Sequence, residues 1–124
     1  MPSLSVRIDL ETGGRIGPGK IELLEQIASL GSISAAGRAL GMSYRRAWEL
    51  VDDTNQIFGQ AVAERQIGGK GGGGATLTPF GVSLVSHYRA IERAAEDIAR
   101  THIEALQIEV KAGAQAKSPV RETA

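Results

Sequence analysis

The sequence predicts a mostly α-helical fold with a small β wing: a winged helix-turn-helix followed by a long C-terminal helix. Three observations carry this. Two capped helical stretches meet at Gly41, and the second opens with SYRRAW. A strand-like run at 62–66 is followed by six glycines and one lysine within 68–74. Apolar residues then recur at helical spacing from Pro79 to Val110.

The chain begins with an alternating stretch, SVRIDL within 4–10, that reads as a strand. It is expected to complete the sheet of the wing. Gly14 to Lys20, GRIGPGK, then matches the G-x4-G-K part of a phosphate-binding loop. Ile21 stands where nucleotide chemistry needs a Ser or Thr hydroxyl for magnesium. Pro18 removes one amide that should hold phosphate. No strand–helix alternation follows to build a parallel sheet. A nucleotide hydrolase is therefore not expected. Pro18 instead opens a helix, proline being favoured in a first turn. Its expected buried stripe is Ile21, Leu24, Ile27, Ala28 and Leu30, and Gly31 ends it.

Ser32 can cap the next helix by accepting a backbone N–H. Ala35, Ala36 and Ala39 favour helix and permit close approach of another. Leu40 closes the apolar face, Gly41 supplies the residue that can take φ > 0, and Met42 packs inward. Ser43 caps again and Tyr44 opens the second helix. Positions 47, 50, 51, 54 and 58 share one face, which is expected to be the core face. Arg45, Arg46 and Glu49 fall off it. Two packed surface helices with a solvated charge pair are the plain alternative. Gly41 between two capped, alanine-rich and arginine-bearing helices favours the DNA-reading motif.

Val62 to Gln66 alternates as a half-buried strand does, and Ala75 to Thr78 is its expected return. So many glycines between them disfavour a helix or a central strand. They suit a hairpin tip whose bare backbone, with Lys70, approaches a phosphate chain. An ordinary mobile loop is the alternative.

Thr78 can cap the last helix and Pro79 fits its first position. Leu84, Tyr88, Ile91, Ala95, Ile98, His102 and Ala105 recur at spacings of four and three, the seam of a two-helix coiled coil. A homodimer is expected through Leu84, Tyr88, Ile91, Ala95, Ile98 and His102. The alternative is a helix packed back on its own domain, which its first turns must do in any case. From Lys111 to Ala124 the periodicity stops, and a disordered tail is expected. The expected divisions are thus a DNA-binding domain at 1–78, a dimerisation helix at 79–110 and a tail at 111–124.

A chain of 124 residues suits one compact domain with an extension. Hydrophobic residues at 42% suffice for a core. The absence of cysteine excludes disulfides, thiolate metal sites and cysteine nucleophiles. His87 and His102 have no metal-ligand neighbours in the sequence pattern, and no acid–base pair or triad stands out. Neither enzyme activity, nor a metal, nor a cofactor is expected. No signal peptide or long apolar run is present, so a cytoplasmic protein without membrane contact is expected. Fourteen basic residues balance fourteen acidic ones. Any DNA affinity must then rest on backbone amides and a few well-placed cations, not on bulk charge.

The run GGRIGPGKIELLEQIASLGSISAAGRALGMSYRRAWELVDDTNQIFG, then GGKGGGGATLTPFG, resembles the N-terminal DNA-binding domain of the ModE family of molybdate-responsive bacterial regulators. It is more distantly similar to the DNA-binding domain of LysR-type regulators. The likeness covers roughly Leu4 to Arg100. It implies a winged helix-turn-helix whose long last helix makes the dimer. It also implies a repressor and activator at molybdenum-transport genes. Ser43, Tyr44, Arg45 and Arg46 match the recognition helix, and Gly68 to Gly74 match the wing, with Lys70 and Thr76 beside it. Members of that family carry a second half that holds molybdate or tungstate. Nothing after Val110 is expected to build one, so molybdate is not expected to be bound directly by this chain.

The expected partner is double-stranded DNA bearing an inverted repeat, read by a homodimer. Arg45 or Arg46 is expected to read guanine through O6 and N7. Tyr44 is expected on a thymine methyl or a phosphate. Ser32, Ser34 and Ser43 are expected to fix the backbone, and Lys70, Gly71, Gly72 and Thr76 to bring the wing to it. The competing class is a winged-helix protein–protein assembly module that binds no DNA.

Overall fold

The structure, a computed structural model, describes residues 2–66 and 73–116. Its elements run β1 (Ile8–Asp9), β2 (Arg15–Ile16), α1 (Pro18–Leu30), α2 (Ile33–Ala39), α3 (Tyr44–Phe58), β3 (Ala63–Gln66), β4 (Gly74–Leu77) and α4 (Pro79–Ala116). This is a mostly α-helical fold with a small β wing and a long last helix.

The helix limits follow from local chemistry. Pro18 occupies the first turn of α1, and the Gly31 amide closes its end on the Ile27 carbonyl at 2.8 Å. Ser32 Oγ accepts the Ala35 amide (2.9 Å) and Ser43 Oγ accepts the Arg46 amide (3.0 Å), so α2 and α3 both start on a serine cap. Between them Gly41 takes φ +72°, a left-handed turn that a side chain disfavours. Thr78 Oγ1 accepts the Gly81 amide (3.0 Å) and donates to the Ala61 carbonyl (2.7 Å), starting α4 while anchoring it to the base of the wing.

Two clusters form the interior. One joins Leu23, Leu24 and Ile27 of α1 to Ile33, Ala36, Ala47, Val51, Val62 and Ala75. The other joins Ile16, Ile21, Ile57 and Tyr88. The core face of α3 is Ala47, Val51, Thr54 and Ile57, with Leu50 and Phe58 half-buried at its edges. On α1 the buried set is Ile21, Leu23, Leu24 and Ile27, while Ala28 and Leu30 are exposed. The expected stripe is corrected here. α1 is covered through its middle by α2, α3 and α4, which buries Leu23 as well. Its last turn stands beyond that cover.

β3 and β4 pair antiparallel with Ala63 opposite Leu77 and Arg65 opposite Ala75. The Ala75 amide also donates to the Gly31 carbonyl (2.8 Å), tying the wing to the end of α1. The N-terminal strand does not complete this sheet. β1 pairs with β2 instead, Ile8 opposite Ile16. The Leu10 amide reaches the Gly14 carbonyl at 2.8 Å, so a local turn folds the strand back on its neighbour. Val6, Ile8 and Leu10 then pack against the second cluster.

The front of α4 is docked on the domain. Gly81 lies so close to the Val62 backbone that any Cβ would collide with it. The Tyr88 hydroxyl donates to the Val6 carbonyl (2.6 Å), and Arg89 holds both carboxylate oxygens of Glu25 (2.9 and 2.7 Å). Tyr88 is buried and Leu84 half-buried in this contact, so the protomer itself uses two residues of the expected seam. Ala95 is half-buried, while Ile91, Ile98 and His102 are exposed. The helix runs six residues past Val110, to Ala116, where a tail was expected to begin. Ala112, Ala114, Gln115 and Ala116 are good helix formers and extend it. Residues 117–124 lie outside the described ones. Among the described residues no helix is long and apolar enough to cross a membrane.

Candidate nucleic-acid interface

α3 turns one face to the core and offers the opposite one to solvent. At about 100° per residue, Arg45 and Glu49 point away from Ala47, Val51 and Thr54. The Arg45 side chain is 90% exposed and that of Arg46 60%. Both lie near Glu49, at 3.4 and 3.6 Å. Such exposed pairs within one helix are weak, so either guanidinium is free to leave for a stronger partner. The acidic residues farther along are engaged elsewhere. Asp53 pairs with Lys20 (2.6 Å), and Asp52 accepts from Gln56 (2.9 Å).

Tyr44 stands on the flank of α3 that meets the wing. Its hydroxyl accepts from Trp48 Nε1 (2.6 Å) and from an Arg65 guanidinium nitrogen (2.7 Å). The Arg65 guanidinium lies over the Trp48 ring, 4.6 Å from its centroid. The strand β3 is thereby joined to α3 by three side chains. Sequence reasoning gave Tyr44 a base or phosphate contact and missed Trp48. The available signal was the i, i+4 spacing of two aromatics with a hydroxyl and an indole N–H to satisfy.

A cleft of about 250 Å³ opens beside this cluster. Ser32, Ser34, Tyr44, Arg65, Gly73 and Gly74 line it. Ser32 and Ser34 thus share this cleft with Tyr44. Ser34 Oγ accepts from Arg38 (2.8 Å), which places a further cation there. Ser43 is exposed at the tip of α3. Thr76 is exposed on the wing, its Oγ1 accepting from Gln66 (3.1 Å). Lys70, Gly71 and Gly72 lie outside the described residues. Among the described residues no group of three His, Asp or Glu could hold a metal ion.

The profile of the family described as bacterial regulatory helix-turn-helix protein, lysR family, matches residues 19–82, from α1 through the wing into α4. Three relatives are similar over the same region. The molybdenum-pterin-binding protein MopB of Rhodobacter capsulatus is 47% identical over 81 residues, 65% of this chain and 30% of that protein. The DNA-binding transcriptional dual regulator ModE of Escherichia coli K12 is 45% identical over 71 residues, 57% of this chain and 27% of that protein. The molybdenum transport protein ModE of Azotobacter vinelandii is 36% identical over 85 residues, 68% of this chain and 32% of that protein. The chain spans about a third of the length of the curated relatives it matches.

Proposed function

The chain belongs to the lysR family of bacterial regulatory helix-turn-helix proteins, and from that premise we propose that it is a sequence-specific DNA-binding regulator of transcription tied to molybdenum metabolism or transport. The observation that carries the reading is the open face of α3. Arg45 and Arg46 stand clear of the core, at the tip of a serine-capped helix whose Tyr44 flank lines a cleft shared with the wing. The printed names of the relatives supply the molybdenum link.

In this reading α3 enters the major groove and one of the two arginines takes O6 and N7 of a guanine. Ser32, Ser34 and the wing, with Thr76, meet the phosphates of one strand. Lys70, Gly71 and Gly72 act at the wing tip. Two chains pair through the rear of α4, where Ile98, Leu106, Ile108 and Val110 are exposed. Two-fold symmetry then calls for an inverted repeat.

The test is binding-site selection from random duplexes, followed by polarisation titrations across salt. Wild type should recover an inverted repeat. Arg45→Ala or Arg46→Ala should cost about 1–3 kcal/mol and relax preference at one base position. Unchanged affinity and unchanged preference in both variants remove the base-reading role. No duplex binding even at low salt favours a protein assembly module instead.

A further inference from the structure

A second cleft, of about 280 Å³, lies beside α3. Its cationic lining is Arg7, Arg15, Lys20 and Arg46, with Gly17 and Gly19 at the start of α1. The helical wheel sets it apart from the wing cleft. At about 100° per residue, Tyr44 and Trp48 occupy one flank of α3, and Arg46 and Leu50 the other. Arg45 and Glu49 lie between the two flanks. We propose that this cleft seats a backbone phosphate of the DNA strand across the major groove from the one met by the wing. The proposal rests on the DNA-reading function above and completes it. A helix lying in the major groove has a phosphate chain on each side, and the wing serves only one.

Four cations from β2, α1, α3 and the N-terminal segment converge on the cleft, and among the described residues no carboxylate lines it. Among the described residues Arg7 has no carboxylate within salt-bridge distance; its guanidinium donates to Ser5 Oγ at 3.4 Å. Arg15 pairs with Asp9 (2.7 Å) and Arg46 with Glu49 (3.6 Å). Both are exposed pairs of the kind that exchange readily for a phosphate. Lys20 is different. Its side chain is 15% exposed, and its ammonium group binds Asp53 (2.6 Å) and the Arg15 carbonyl (2.8 Å). It is a positioning residue that fixes the start of α1 and the β2 carbonyl against α3.

The backbone suits the same ligand. Gly17 has no side chain to cap α1, and the first turn holds no acidic residue, so the positive end of the helix is left uncompensated. A Cβ on Gly17 would sit 3.2 Å from Arg7 Cγ, so the glycine gives the arginine stem its place. A Cβ on Gly19 would meet no atom within 4 Å, which leaves that side open. The G-x4-G-K stretch thus keeps a phosphate chemistry, but for a polymer backbone.

The experiment uses the whole chain and a mixed-sequence duplex, with polarisation read across salt. Arg7→Ala and Arg15→Ala are compared singly and together. Loss of this one phosphate contact should make the slope of log K against log salt shallower by about 0.9 per half-site in the double variant, with each single variant between it and wild type. Affinity for selected and unrelated duplexes should fall by the same factor, with base preference intact. Arg7→Lys with Arg15→Lys should restore most of the slope. Neutralising single phosphates as methylphosphonates should abolish the difference between wild type and double variant at one position per half-site. An unchanged slope in a double variant that melts like wild type overturns the proposal and leaves the base-reading role of α3 standing. Tight binding of pyrophosphate or ATP without DNA, lost in the double variant, overturns it in favour of a free phosphate ligand. Failure of the wild type to bind any duplex removes the functional reading and this cleft with it.

Discussion

The front and the rear of α4 share one helix but differ in what covers them. Up to Arg89 the helix is held by its own domain: Gly81 on the Val62 backbone, Tyr88 on the Val6 carbonyl, Arg89 on Glu25. Beyond it, large apolar side chains face solvent, Ile98 at 74% exposure and Ile108 at 68%. In proteins most helical stability comes from packing of an apolar face rather than from propensity. The front obtains that packing inside the protomer. In the rear, Pro2, Ser3 and Leu4 lie beside Glu96, Arg100 and Ile103, and a second copy is the proposed cover for the apolar side chains that stay exposed.

The largest expected effect is on the front. Tyr88→Ala should lower stability by about 3–5 kcal/mol in urea unfolding, as for other buried aromatic truncations. Tyr88→Phe should lose only about 1 kcal/mol, the share of the hydrogen bond to Val6. If both cost the same, the ring packing is not what holds α4 down. Next comes the rear. Ile98→Asp should raise the dimer dissociation constant about tenfold or more, some 1.4 kcal/mol, in sedimentation equilibrium. Domain stability measured on dilute protein should barely change. A variant that unfolds the domain would erase the distinction between the two halves.

The smallest effect concerns pH. The hydrogen bond from Arg89 holds the Glu25 carboxyl below its ordinary 4.5, against the opposing effect of burial. A depressed acid contributes stability above its ordinary value, and that contribution fades as pH falls through the lowered one. Glu25→Gln should therefore melt below wild type at neutral pH, with the gap closing as pH drops below 4.5. A gap that widens in acid would mean that the pairing with α4 is not the cause.

The helix boundaries were legible because their signals are local. Pro18, Gly31, Ser32, Gly41, Ser43 and Thr78 each act on residues within one turn, and each stands where the sequence put it. What required tertiary neighbours was not legible. Periodicity gives one buried stripe, but α1 is covered on more than one side, so Leu23 is buried while Ala28 is not. The seam pattern continues unbroken through Tyr88 because a coiled-coil contact and a docking contact ask for the same residue types. The pairing of β1 with β2 depends on a turn at 10–14 that competed with a more distant wing. At the site, α3 and its exposed arginines were readable from spacing. Arg65 over Trp48, and Lys20 on Asp53, bring together residues far apart in the chain, which no local pattern reports.

Trp48 is the only tryptophan in the chain, and it sits where the wing strand β3 and α3 are joined. The protein therefore carries an intrinsic fluorophore at the joint between α3 and β3. A guanidinium that lifts off the indole face, as when a phosphate draws Arg65 away, alters the emission of that one ring. The posture of the wing can be followed in solution by light alone, without any attached label.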